Sequence, residues 1–295
     1  MKICRLNARS VIEVSGNDAT NFLQSMITND INKLDSRNNK EFSEIDSSVS
    51  IGIYTLFLTP QGRFLYDAFI TKNNNSESFS YFLEVDSKHK DSLIKRFTFY
   101  KLRSDVQIND LNNLSCFYAK KMIPNDIFDA AILFKDPRYS KLGYRIIANN
   151  SQLEKSNLIE CLDDDLLYKL DKYEYIIPEG FIDLEQEKSL PPEFHMEDLN
   201  AICFKKGCYT GQEVISRTKN LGVVRKSIVG LEFDKNFDLT SLEVFQNGKK
   251  LGYITSFYKN KSIALLRTTT LDKNDLVYLS NEDPAKLIIP EWITN

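Results

Sequence analysis

The stretch KKGCYTGQE, at residues 205–213, combines two lysines, a cysteine and two glycines that bracket the cysteine and a tyrosine. Thr210 and Glu213 have the spacing of a capping box, in which the threonine oxygen accepts a helical N–H and the glutamate reaches back to the cap. This spacing predicts a short helix whose first residue is Gly211, with Cys208 in the loop just before it.

Cys208 is the candidate functional residue of this stretch. A thiol just before a helix lies near the positive end of the helix dipole, and the ammonium groups of Lys205 and Lys206 add positive charge. Both effects favour the thiolate, so we expect a lowered pKa for an accessible Cys208. The alternative is a small buried cysteine in a glycine-rich turn, since free cysteines are usually buried and inert.

The same stretch, followed by Arg217, resembles the signature of the YgfZ-like folate-binding proteins. These are relatives of the glycine-cleavage T-protein, an aminomethyltransferase, and they help to maintain iron–sulfur enzymes. Further phrases resemble family motifs in the same order along the chain, so the resemblance covers nearly all of it. They are SGNDATNFLQSMITNDI at 15–31, LTPQGRFLYD at 58–67, DPR with a following LGYR at 136–145, and LPPE at 190–193.

The residues before about position 110 predict three strands, a helix at about 87–97 and a further strand, which is an α+β pattern. Short strands after Gly222, with a hairpin signal at Asn247–Gly248, predict a small barrel. The resemblance implies the aminomethyltransferase type of fold: a three-lobed ring of two interleaved antiparallel-sheet and helix lobes plus a C-terminal β-barrel-like lobe. We therefore expect a folate-binding region at residues 1–221 and the barrel-like lobe at 222–295.

The resemblance also suggests contacts with tetrahydrofolate or a related reduced folate. Asp67 interrupts an apolar strand, so it is either a water-facing edge residue or, as the resemblance implies, a carboxylate beside the reactive part of the folate. Glu193 would accept the N–H donors of the pterin, although a glutamate after two prolines at a helix start is equally natural. Arg217 and Lys206 would meet the anionic folate tail or hold the loop, and Tyr209 is a candidate wall of the pterin site.

Two other family-like phrases contain residues with a structural interpretation. We interpret Arg138 and Arg145 as structural ion-pair partners across a lobe junction, in preference to ligand contacts. The phrase IPEG, at residues 177–180, resembles the family's GIPEG, but Ile176 stands where that phrase usually has a glycine. This departure puts the local turn in question and leaves the expected fold unchanged.

The composition excludes several classes of protein. The 38 basic and 41 acidic residues nearly cancel, so no strongly basic field indicates a nucleic-acid partner. Five scattered cysteines and two histidines indicate neither a structural metal site nor a disulfide framework, which favours a reducing compartment. No apolar run has the length of about 18 residues that spans a membrane, and no signal peptide is recognised. We therefore expect no membrane partner and a cytoplasmic location.

Together these features predict a tetrahydrofolate-binding protein that assists assembly or repair of iron–sulfur clusters, with iron–sulfur assembly factors or client apoenzymes as partners. A cluster of its own would need about four thiolates, so transient ligation by Cys208, completed by a partner, is the open possibility. The alternative is a folate-dependent aminomethyl transferase, and whether the protein turns over as an enzyme stays open. A cysteine hydrolase that pairs Cys208 with His195 lacks an identifiable orienting residue.

Overall fold

The computed structural model describes residues 1–35, 49–74, 76, 78–123, 132–149, 160–222, 224–234, 242–273, 275–279 and 283–293. The contacts between residues divide the chain into two compact units that interleave in sequence. The first comprises Met1–Leu58, Leu65–Tyr168 and Asn200–Thr210, and the second comprises Thr59–Phe64, Lys169–Leu199 and Gly211–Asn295. The boundary predicted between residues 221 and 222 stays a prediction.

The strands and α-helices of the described residues follow in chain order. They are β1 (Lys2–Arg5), β2 (Arg9–Ser15), α1 (Ala19–Met26), β3 (Gly52–Leu58), β4 (Phe64–Lys72), β5 (Ser80–Asp86), α2 (Lys90–Lys101), β6 (Gln107–Asp110), β7 (Leu114–Ala119), β8 (Ile132–Lys135), β9 (Tyr144–Asn149), β10 (Glu160–Leu162), α3 (Leu166–Glu174), α4 (Gln212–Leu221), β11 (Lys226–Glu232), β12 (Glu243–Gln246), β13 (Lys249–Tyr258), β14 (Lys261–Arg267), β15 (Val277–Leu279) and β16 (Pro284–Ile288).

The first unit holds two five-stranded sheets within the described ranges. One has the order β3-β4-β5-β2-β6 and the other has the order β10-β1-β7-β9-β8. Helix α1 buries Phe22 and α2 buries Phe97, and the two rings meet edge to face with centroids 5.5 Å apart. The Phe97 ring also lies 5.3 Å from the ring of Phe57 in β3, so both helices pack on this sheet.

The second unit contains a closed barrel of strand order β11-β14-β13-β12-β15-β16. Its interior is filled by alternating apolar side chains of these strands. Asn247 and Gly248, both with positive φ (52° and 71°), form the two-residue turn between β12 and β13. The α+β class, the C-terminal barrel and this hairpin are confirmed. No helix in the described part of the chain is both long and apolar enough to cross a membrane.

The start of α4 differs from the prediction. The helix begins at Gln212, its N-cap is Gly211 with φ 85°, and the cap makes no side-chain hydrogen bond. The capping box predicted from Thr210 and Glu213 is therefore wrong. The backbone N–H of Thr210 is instead bonded to the carbonyl of Ser25, which fixes Thr210 one residue ahead of the cap.

Candidate functional site

Lys206 anchors the loop that carries Cys208. Its ammonium group donates hydrogen bonds to the carbonyls of Gln24, Ile27 and Asn29, at 2.6, 2.7 and 2.8 Å. These carbonyls lie in and just after the last turn of α1, where helix carbonyls lack partners and a cation is favoured by the helix dipole. Lys206 is only 7% exposed, and burial lowers the pKa of its ammonium group to about 8. These hydrogen bonds hold the loop, and the predicted contact of Lys206 with a folate stays a prediction.

Further hydrogen bonds tie the segment before this loop to the residues after α1. The Thr28 hydroxyl donates to the Ala201 carbonyl, and the Asn29 amide donates to the Asn200 carbonyl, each at 2.7 Å. The backbone N–H of Cys203 donates to the Thr28 carbonyl at 2.9 Å. Two phrases that are about 180 residues apart in the sequence therefore form one hydrogen-bonded substructure of the first unit.

Cys208 is exposed at the surface of this substructure. A methyl group placed on the adjacent Gly207 would meet no atom within 4 Å, so the loop is open on that side. Tyr209 points the other way and is 6% exposed, with its ring centroid 5.1 Å from the Lys206 Nζ. Burial raises the pKa of Tyr209, and its hydroxyl has no hydrogen-bond partner among the described residues.

The other cysteines differ from Cys208 in environment. Cys4 and Cys116 are buried, and burial raises the pKa of both thiols, that of Cys4 to about 11. Cys161 is exposed, but partial burial and the nearby Asp163 raise its pKa. Across the described ranges, no group of three or more His, Cys, Asp and Glu side chains is placed to hold a metal ion.

Asp67 occupies a buried position in β4. It is 1% exposed, and its carboxylate accepts hydrogen bonds from Arg9 Nη1 and from the Tyr54 hydroxyl, both at 3.1 Å. The water-facing alternative for Asp67 is therefore wrong. Its contact with a folate stays a prediction, and in this structure both carboxylate oxygens accept hydrogen bonds from protein groups.

The Asp67–Arg9 pair is one end of a buried charge network in the first unit. Arg9 also donates to Glu84 in β5, and Glu84 accepts from Arg145 in β9. Arg145 in turn donates to Asp136 at 2.8 Å. The network therefore joins the two sheets of this unit through charged hydrogen bonds.

Asp136 forms the other end, because it also pairs with Arg138 at 2.8 Å. Burial alone would disfavour the charged carboxylate, but Arg138 and Arg145 outweigh it and hold the pKa of Asp136 below its usual range. The predicted ion pairs of Arg138 and Arg145 are confirmed, and their partners all lie within the first unit, so these pairs do not cross a junction between the two units.

Glu193 lies in the second unit, in a 3₁₀ turn formed by Pro191–Phe194. This turn lies beside α4 and β11. Burial raises the pKa of the half-buried Glu193, while the positive charges of Lys226 and Arg63 act in the opposite direction. Arg217, on α4, is highly exposed and lies 3.8 Å from the Glu213 carboxylate.

His195 fixes the turn that carries Glu193 to the barrel wall. Its Nδ1 lies 3.0 Å from the carboxylate of Asp198, and its Nε2 lies 2.7 Å from the Ser227 hydroxyl in β11. Asp198 is thus an orienting carboxylate that the sequence did not reveal. On the other side of its ring, His195 meets the hydroxyl of Ser227, which lies within a strand.

The predicted folate contacts fit a reduced folate only in part. Glu193 offers a half-buried carboxylate, which suits the N–H donors of a pterin, and Arg217 offers an exposed guanidinium group. The charged groups of Asp67 and Lys206 are instead committed to protein partners.

The fold itself has a solved counterpart. The aminomethyltransferase T of the glycine cleavage system from Bartonella henselae superposes with a TM-score of 0.75 at 12% sequence identity, over 99% of this chain and 86% of that one. Residues 225–295 match the family model described as CAF17, C-terminal beta-barrel domain. The chain therefore has the aminomethyltransferase type of fold, as the resemblance implied.

Sequence comparison identifies the family. The human iron–sulfur cluster assembly factor IBA57, mitochondrial, is 30% identical over 98% of this chain and 84% of its own length. The homologue from Mycosarcoma maydis is 33% identical over 79% of this chain. This chain belongs to the IBA57 family. It spans 57% of the Mycosarcoma maydis relative and 55% of the one from Pyricularia oryzae.

These relatives correct the predicted location and specify the family within the predicted superfamily. They are mitochondrial proteins by name, so the predicted cytoplasmic location is wrong and mitochondria are indicated. The scattered free cysteines indicated a reducing compartment, but they do not distinguish one reducing compartment from another. The wider superfamily is confirmed, while these relatives carry the IBA57 name and not that of YgfZ.

Proposed function

We propose that this chain supports the assembly of iron–sulfur clusters in other proteins, with Cys208 as its functional thiol. The observation that carries the proposal is the exposure of Cys208 on a loop anchored by the buried Lys206. An anchored loop presents the sulfur at a defined place on the surface, which a thiol that ligates or exchanges with a bound cluster requires. The names of the IBA57 relatives support the same function.

The cluster would be cargo shared with a partner. A protein-held cluster commonly needs about four thiolates, whereas Cys4 and Cys116 are buried and carry raised pKa values. Cys208 would therefore supply a single ligand, and an assembly factor or client apoenzyme would supply the others. Such a complex forms only in the presence of the partner, so the isolated chain would not retain a cluster.

Replacement of Cys208 by alanine tests this proposal. The side chain is exposed, so we expect normal folding and abundance, but no rescue of iron–sulfur enzyme activity in cells that lack their own family member. Cys161→Ala is the matched control, because it removes the other exposed cysteine. Full rescue by Cys208→Ala, at equal protein level, would remove the thiol from the mechanism.

We further propose that a reduced folate, such as tetrahydrofolate, binds this chain, as in the YgfZ-like proteins that the sequence resembles. Glu193 would accept the donors of the pterin and Arg217 would meet the anionic tail. Asp67 and Lys206 would act indirectly, by fixing β4 and the Cys208 loop, and Tyr209 would lie behind that loop. In this second half of the proposal the direct folate contacts are those of Glu193 and Arg217, because the charged groups of Asp67 and Lys206 already bind protein groups.

Titration of the chain with tetrahydrofolate tests this second half. A charge-assisted contact is worth about 1.5–3 kcal/mol, so Glu193→Gln should weaken binding by about tenfold to a hundredfold. Glu185→Gln, at an exposed glutamate of the same unit, should bind like the wild type. Asp67→Asn needs a parallel unfolding measurement, because it removes the charge that faces Arg9.

Equal affinity of the wild type and Glu193→Gln would rule out the proposed pterin contact.

A separate assay addresses the alternative function. Clear transfer of a methylene unit from an aminomethyl-lipoyl carrier to tetrahydrofolate would show an aminomethyl transferase and would contradict a role confined to cluster assembly.

A further inference from the structure

Helix α2 and the residues after it form a basic surface that also exposes large apolar side chains. Residues 88–103 contain six lysines and arginines and one acidic residue, in a chain whose formal net charge is −3. We call the exposed part the α2 surface. It consists of the exposed residues Lys95, Phe99, Tyr100, Leu102 and Arg103, together with the half-buried Arg96 that lies beside them.

The basic and aromatic members of the α2 surface are neighbours. Lys95 and Phe99 are four residues apart, as are Arg96 and Tyr100, so each pair shares one ridge of the helix. The Arg96 guanidinium group lies 4.8 Å from the centroid of the Tyr100 ring, and the Phe99 and Tyr100 rings are 5.3 Å apart. The opposite side of α2 is buried in the core of the first unit.

The apolar members of this surface are unusually exposed. Phe99 is 72% exposed, Tyr100 is 47% exposed and Leu102 is 83% exposed. Leu102 also has φ 45°, the left-handed region that favours glycine after a helix. Exposed apolar area and backbone strain both reduce stability, so folding does not explain a leucine here. Such a residue is expected where it contacts something outside the chain.

The composition of this surface distinguishes between two kinds of partner. Arginine and aromatic residues are enriched in protein interfaces as well, but lysine is depleted there, so Lys95 and Arg103 beside the exposed Phe99 and Leu102 favour an anionic membrane surface. Two acidic residues, Asp18 and Asp105, lie near this surface. The backbone N–H of Asp105 donates a hydrogen bond to Asp18, and the Asn17 amide donates one to Asp105.

We propose that the α2 surface binds the face of a membrane rich in anionic phospholipid. Lys95, Arg96 and Arg103 contact the lipid phosphates, while Phe99 and Leu102 enter the interfacial layer. The expectation of no membrane partner rested on the lack of an apolar run of spanning length, and a surface contact needs no such run. This proposal is independent of the role of Cys208.

Vesicle co-sedimentation of the full chain tests the proposal. We expect the chain to bind vesicles of equal parts phosphatidylglycerol and phosphatidylcholine at least about tenfold more strongly than vesicles of phosphatidylcholine alone. Added salt should weaken the binding, because it screens the charges. Equal binding to both vesicles, or to neither, overturns the proposal and leaves an acidic protein as the alternative occupant.

Paired variants locate the contact. Lys95→Glu combined with Arg103→Glu should reduce binding to the anionic vesicles by about tenfold or more. Leu102→Gly should also reduce binding, yet fold at least as well as the wild type, because glycine suits the left-handed backbone. Lys273→Glu and Leu276→Ser change an exposed charge and an exposed apolar residue elsewhere and should bind normally. Equal losses in these controls would also overturn the proposal.

Discussion

Lys206 shows how one side chain can fix the position of a functional neighbour. Its ammonium group satisfies three carbonyls in and after the last turn of α1, and Cys208 follows two residues later at the surface. A methionine of similar length would fill the same space without donating a hydrogen bond. Replacement of Lys206 by methionine therefore removes the hydrogen bonds of the ammonium group while it keeps the packing of the apolar stem.

We expect Lys206→Met to destabilise the chain by about 2–4 kcal/mol, because three carbonyls lose their donor in a buried place. Urea unfolding measures this loss. Lys205→Met is the matched control, because Lys205 is the exposed neighbour, and it should change the free energy of unfolding by less than about 0.5 kcal/mol. Similar losses in both variants would show that the hydrogen bonds of Lys206 contribute little.

The pH dependence of stability provides a second check on Lys206. Burial lowers its pKa from 10.5 in the unfolded chain to about 8 in the folded chain. Between these pH values the unfolded chain binds more protons, so the free energy of unfolding should rise with pH across this interval. That contribution should be missing from Lys206→Met.

At the scale of elements, the interiors of helices and strands follow their sequence patterns more closely than the ends do. The helix predicted at about 87–97 is observed at Lys90–Lys101, and it ends at the strained Leu102. A pattern of apolar residues sets which face is buried, but it does not contain the contacts that end a helix.

At the turn that contains Ile176, the backbone conformation and the side-chain packing have opposite effects on stability. Ile176 has φ 56°, a conformation that is rare for a β-branched residue and that the family's glycine would adopt without strain. Its side chain is buried, and the Cδ1 atom occupies the space beside Gly230 in β11, where a Cβ would lie 2.5 Å away. The left-handed turn is therefore retained, and apolar packing within the second unit offsets the strain.

At the scale of the whole molecule, buried charges organise the first unit. Three guanidinium groups and three carboxylates alternate along a series of ion pairs that runs from one sheet of this unit to the other, and each acid has a basic partner. Removal of one member leaves a buried charge without one of its counter-charges, in a place from which water is excluded. The resulting loss of stability exceeds the contribution of an exposed ion pair.

Arg145→Met should therefore destabilise the chain by about 3–5 kcal/mol, because Glu84 and Asp136 each lose one of their two guanidinium partners in a buried place. Lys2→Met removes the surface pair of Lys2 with Glu160, whose side chains are 61% and 57% exposed, and should cost less than about 1 kcal/mol. Chemical unfolding of both variants compares the two environments directly. A loss below about 1 kcal/mol for Arg145→Met would contradict a stabilising network.

The sequence by itself determined the α+β class, the barrel, the hairpin at Asn247–Gly248 and the choice of Cys208 as candidate thiol. Each of these depends on residues that are close together in the chain, where periodicity and turn chemistry operate. The sequence also indicated that the carboxylate of Asp67, in an apolar strand, requires a partner if it is buried, but it did not identify that partner.

Only the tertiary structure decided which partners the charged residues have. Lys206 meets carbonyls 177 to 182 residues away, and Asp67 meets Arg9 at a separation of 58 residues. Such pairs depend on how sheets and loops come together, and no local pattern records that arrangement. A buried charge must find a counter-charge or a set of carbonyls, but the sequence fixes only that need, whereas the packing of the chain selects the group that meets it.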